Sequence, residues 1–185
     1  MAIIEAIQTV FLEADSGTSI HFQSIPTDYA HLQLRCSMKS LNTNIYNTGA
    51  EMRFGDTNGI DSGGNYSSHR LEGDDNEDIA FGSSSNDAAQ VYPLCNSRPA
   101  NHAAEYGIFV VDIFDYRSTV KNVTWKAIGG AVTSRDQTYR DSGVVSAMMG
   151  LWDKPTLSNP MTQFYISNNN LARGSMFTLY GIKGT

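Results

Sequence analysis

The side chains able to do acid–base or metal chemistry in this sequence are 19 carboxylates and 4 histidines, and their spacing decides what is open to them. The segment Asp56-Thr57-Asn58-Gly59-Ile60-Asp61 begins like a calcium loop, with oxygen ligands at alternate positions and a glycine for the sharp turn. The pattern fails at Ile60, where a ligand is required, and no glutamate closes it. Residues 55–64 therefore read as a Gly/Asp-rich turn. Loop 73–78 holds a denser cluster, Asp74, Asp75, Glu77 and Asp78, with enough carboxylate for a hard cation; a solvated tip explains the same letters. Zinc needs His and Cys at short spacing. His21, His31, His69 and His102 are isolated, and none has a cysteine within a few residues. No metal or cofactor site is assigned.

Nucleophilic catalysis needs an activated Ser or Cys with a base and an orienting acid. The chain has no Gly-x-Ser-x-Gly elbow, and in Ser67-Ser68-His69 neighbouring strand residues point to opposite faces. Two opposed carboxylates would suffice for glycoside hydrolysis. The pair that stands out, Asp112 and Asp115 in the most apolar segment, is three positions apart and so faces opposite ways; polar breaks or turn caps describe it better. A phosphate-cradling Gly-Lys-Ser/Thr loop is also missing. The sequence is read as a non-enzyme with no catalytic residues. Sugar binding is harder to dismiss, because Trp125, Trp152 and the 9 tyrosines are enough for a stacking platform. Packing in a core or subunit interface is the plainer account of both tryptophans.

Composition narrows the partners. The 185 residues carry a net charge of −6, and only 17% are charged. Arg35, Lys39, Arg53, Arg70, Lys121, Lys126, Arg135 and Arg140 are single and scattered, which is the opposite of a counterion-releasing basic patch, so no nucleic-acid partner is expected. Cys36 and Cys95 do not argue for a disulfide in a chain without a secretory signal; Cys36 falls on the apolar side of an alternating run and reads as a small buried hydrophobe. The N-terminal segment lacks a basic region and is interrupted by Glu5 and Gln8, so it is not a signal peptide. No apolar run approaches the ~20 residues that span a bilayer. Folding in a cytoplasm and no membrane partner are expected.

The elements that must position these residues are strands. Apolar and β-branched runs punctuated by Gly, Pro, Asn and Asp cover 2–12, 18–23, 31–39, 50–54, 65–71, 89–95, 106–116, 123–132, 143–152, 161–167 and 175–183. From His31 to Lys39 the alternation is clean, with Leu32, Leu34, Cys36 and Met38 on one side. Tyr106–Tyr116 is so continuously apolar that it predicts a central strand covered on both faces. Residues 82–87, rich in Ser and Asn, read as loop. No amphipathic helix, internal repeat or linker is evident. About ten strands in one module spanning 1–185 predict an all-β sandwich of jelly-roll type.

Several segments, in order, resemble a family of small virion proteins of tailed bacteriophages, including cyanophages. They are Ile25-Pro26-Thr27-Asp28-Tyr29-Ala30-His31-Leu32-Gln33-Leu34-Arg35, Met52-Arg53-Phe54-Gly55-Asp56-Thr57 and Gly64-Asn65-Tyr66-Ser67-Ser68-His69-Arg70-Leu71-Glu72-Gly73. Val110-Val111-Asp112-Ile113-Phe114-Asp115-Tyr116 and Ser175-Met176-Phe177-Thr178-Leu179-Tyr180-Gly181-Ile182-Lys183 complete the set. The stretch between Asp56 and Asn65 and the two cysteines depart from it. The resemblance implies a jelly-roll-like sandwich displayed on the virion, with no catalytic residues to carry over. It implies a capsid decoration (cement) protein on the capsid surface, assembled in the host cytoplasm, partnered by the major capsid protein and associating as a homotrimer. The alternative it leaves open is a tail-fibre or receptor-binding protein recognising host glycans.

Overall fold

The structure, a computed structural model, describes all residues except 1–2, 16–18, 42–47, 74–77, 96–105, 134–141, 168–170 and 185. The described residues form thirteen strands and no helix: β1 (Ile3–Phe11), β2 (Ile20–Phe22), β3 (His31–Met38), β4 (Thr48–Asp56), β5 (Gly59–Ile60), β6 (Tyr66–Gly73), β7 (Asp78–Asn86), β8 (Ala89–Cys95), β9 (Gly107–Phe114), β10 (Val123–Thr133), β11 (Ser142–Trp152), β12 (Gln163–Ser167) and β13 (Met176–Lys183). All pairings are antiparallel.

The eight-stranded sheet runs β1-β13-β3-β9-β10-β11-β6-β7, and the smaller one runs β2-β12-β4, with β5 and β8 both pairing β4. Within this, β1-β13-β3-β9 and β2-β12-β4-β8 are two four-stranded sheets between which the chain alternates except at β4 and β8, which pair with each other, and the last strand lies beside the first: the double Greek key of a jelly roll. The expected all-β sandwich of jelly-roll type is therefore found. The added strands β10, β11, β6 and β7 all extend the large sheet past β9.

Alternation explains which face closes the core. On β3, Leu32, Leu34, Cys36 and Met38 are buried, as their spacing predicts. Across the sandwich, Phe22, Phe164 and Phe54 of the small sheet meet Trp152 and Tyr66 of the large one. Ring centres are 6.1 Å apart for Phe22–Phe164, 5.4 Å for Phe54–Phe164, 5.8 Å for Phe54–Trp152 and 6.5 Å for Tyr66–Trp152. Burying each such ring is worth about 1.5–3 kcal/mol, and each favourable ring pair adds roughly 0.5–1.5 kcal/mol. The hydroxyl of Tyr116 donates to the carbonyl of Pro26 at 2.6 Å; desolvation pushes its pKa up to about 12.

Three expectations are corrected. Residues 82–87 are not loop: Gly82 to Asn86 complete β7, whose Ser and Asn side chains suit a strand paired on one side only. Residues 55–64 are not all loop either, because Gly55 and Asp56 pair with Ile60 and Gly59 in a tight hairpin, with Gly59 at φ 117°. Most consequentially, among the described residues β9 is covered on one face only. Val111 and Ile113 are buried, but Ile108 is 63% exposed and Val110 38%. The apolar run reflects two apolar faces, of which the fold covers one.

Candidate functional site

The open face of the large sheet is built by register. Residues paired across antiparallel strands share a face, so the ladders fix three parallel rows from β3 to β7. The first is Ser37, Ile108, Gly130, Val145, Gly73 and Asp78; the second is Arg35, Val110, Ile128, Ala147, Leu71 and Ala80; the third is Gln33, Asp112, Lys126, Met149, His69 and Gly82. The first two rows are apolar through their middle. Val145 (64%), Met149 (63%) and Leu71 (65%) are as open as Ile108. A shallow groove runs over Gly130 between Ile108, Val110, Ile128 and Val145; another lies among Ile128, Ala147, Met149, His69 and Leu71.

The third row carries the face's polar network. Asp112 accepts from Gln33 Nε2 at 2.7 Å and lies 3.2 Å from Lys126 Nζ. Arg35 Nε donates to Gln33 Oε1 at 2.7 Å, and its guanidinium lies 4.7 Å from the centre of the Tyr180 ring. Mutual pairing makes this a neutralised rim beside the apolar rows. Exposed apolar surface costs solubility, and a contiguous patch with a polar rim marks a place where something else docks.

The sequence candidates for chemistry fall elsewhere and do not converge. Asp112 faces outward, whereas Asp115 sits in the left-handed turn that ends β9, at φ 55°, with its carbonyl accepting from Ser118 N at 2.9 Å. Asp61 holds its own hairpin: its carboxylate accepts from Gly63 N at 2.8 Å, Asn65 Nδ2 at 2.9 Å and Trp152 Nε1 at 2.7 Å. Asp56 does the same with Asn58 N at 2.7 Å and Asn159 Nδ2 at 3.1 Å. Among the described residues no group of three or more His, Cys, Asp or Glu is placed to hold a metal ion. The acidic cluster at 74–77, and with it His102, Arg135 and Arg140, lies outside the described residues. Ser68 is buried and His69 exposed, on opposite faces of β6. His21 bonds Gln163 and Gln23 at 3.1 Å each, and His31 packs edge-on against Phe114.

Both tryptophans are core residues at 1% exposure, so neither forms part of a stacking platform. The described basic side chains make no patch: Arg53, Arg70, Lys121 and Lys126 lie beside Glu51, Glu72, Asp115 and Asp112, at 3.3, 3.6, 3.7 and 3.2 Å. Lys154 is buried and donates to the carbonyls of Ser118 at 2.6 Å and Leu157 at 3.2 Å; burial lowers its pKa. Its role is to tie two loops together. No helix of the described residues is long and apolar enough to cross a membrane.

Sequence reasoning did not single out the apolar residues of the open face, although it drew attention to Asp112 and His69 for other chemistry. The signal was present: Val144 to Trp152 is apolar on both alternating positions, in a chain that offers no helices to cover a second face.

No protein-family model matches the chain, and no curated protein does. Among solved structures, the chain is similar over 90% of its length to 69% of the CBM2 module of the evolved Dit of Lactobacillus casei BL23 phage J-1, with 14% sequence identity and a TM-score of 0.26.

Proposed function

We propose that this chain is a structural protein of a tailed-phage virion, a capsid decoration (cement) protein that binds the outer capsid and strengthens contacts between major capsid proteins. The observation that carries the reading is the open apolar face of the large sheet. Four added strands enlarge a jelly roll sideways, and the surface they share with β3 and β9 is apolar and bordered along one row by paired charges. Such a surface suits a protein whose working state is an assembly. The ordered segments that resemble small virion proteins supply the kind of assembly. Catalysis has no part in this reading: among the described carboxylates that drew notice in the sequence, Asp56, Asp61 and Asp115 serve turns and Asp112 pairs across strands. The glycan-binding alternative loses its main sequence support with the burial of Trp125 and Trp152.

The test is quantitative mass spectrometry of purified particles. A decoration protein repeats over the whole capsid lattice and so is present in far more copies per particle than a fibre tip. Particles lacking the chain should lose their heads at lower temperature; unchanged head stability would reject the cement role.

A further inference from the structure

The open face is complementary to itself. A two-fold axis parallel to the strands, passing between β10 and β11, preserves height along the strands and reverses strand order. Each row then meets its own reverse. In the first row Val145 opposes Gly130 of the other copy and Ile108 opposes Gly73; in the second, Ile128 opposes Ala147 and Val110 opposes Leu71. Val145 over Gly130 and Ile128 over Ala147 place a large side chain over a small one, as interdigitating sheets require, while Ile108 meets the Asp78 carboxylate over Gly73 and, in the third row, Lys126 meets Met149. At the polar ends, Asp112 opposes His69 and Asp78 opposes Ser37.

We propose that a second copy of this chain covers the open face, forming an isologous dimer by aligned packing of the two large sheets. Area supports that occupant. Six strands spaced ~4.8 Å apart and three rows ~6.8 Å apart give on the order of 500 Å² in plan. A corrugated surface of that plan approaches the ~800 Å² of accessible area per partner in a standard interface. An isologous pair needs only one surface to fit itself, and it leaves the remaining surfaces of the pair for the capsid. The pair differs from the trimer that the sequence resemblance implies.

The inference rests on the assembly reading of this face, and the experiment separates the two. Sedimentation velocity of the purified chain should show, at micromolar concentration, a species of twice the 20.3 kDa chain mass. Val145→Glu and, independently, Leu71→Lys place a charge in the apolar rows and should weaken association about 100-fold or more. Both sites are open to solvent in the single chain, so the far-ultraviolet circular dichroism should not change. Ile3→Glu, exposed on β1, should leave the dimer intact. A monomer at 100 μM (the top of the range, on the order of weak dimers), a three-fold species, or a dimer indifferent to both charged variants would overturn the proposal. A monomer that still decorates particles sinks the pair and leaves the virion role; a dimer absent from particles does the reverse.

Discussion

The indole N–H of Trp152 donates to Asp61 Oδ2 at 2.7 Å, tying the end of β11 to the hairpin loop between β5 and β6. The same carboxylate accepts two further bonds from its own loop. Asp61→Ala strips all three and leaves a buried indole donor unpaired. A loss of about 2–3 kcal/mol is expected, read as a shift in the urea midpoint at unchanged slope, with altered tryptophan emission.

Gly150 lets β11 pass under Trp125. A Cβ there would meet the indole carbons Cζ2 and Cε2 at 2.5 and 2.6 Å, and the Ser67 carbonyl more closely still. Gly150→Ala should cost roughly 1–3 kcal/mol through overpacking, whereas Gly59→Asn, at a turn with open space and positive φ, should cost less than Gly59→Val. Thermal melts of the three variants check the order.

Glu5 joins the chain's first and last strands: Lys183 Nζ lies 3.0 and 2.9 Å from its two carboxylate oxygens, and the Tyr29 hydroxyl donates at 3.0 Å. The bond from Lys183, then that from Tyr29, lower the Glu5 pKa from its ordinary 4.5. A lowered carboxylate pKa contributes stability above the unfolded value that disappears as pH falls through the folded one. The difference in melting temperature between wild type and Glu5→Gln should be present at pH 7 and vanish well below pH 4.5. At the other end, the Glu5 bond raises the Lys183 pKa, so that contribution fades only when pH climbs past the ordinary lysine range.

With both indoles in the core, oligosaccharides from host cell surfaces should leave tryptophan emission unchanged. Saturable quenching that is lost in Trp125→Phe would instead favour the glycan-binding alternative.

Much of the fold was legible because strand alternation writes itself into sequence. Leu32, Leu34, Cys36 and Met38 face the core as their spacing requires, and the double Greek key follows the expected class. What was hidden is instructive. β7 is Ser-, Gly- and Asn-rich because it pairs on one side only, and edge strands need little β propensity. The expectation for β9 fails because a strand buried on both faces and a strand with one apolar face left open carry the same letters. The open face itself depends on which strands become neighbours: Ile128 and Leu71 are brought into one row only by the pairing of β6 with β11.

The central claim, that this face is covered when the protein works, is tested most directly by oxidative footprinting of Met149, 63% exposed in the single chain. In intact particles its oxidation should fall at least about tenfold relative to the chain diluted to nanomolar concentration, below the range of a typical weak dimer. Met149 oxidised equally fast in both states, with buried Met52 slow throughout, would contradict the account.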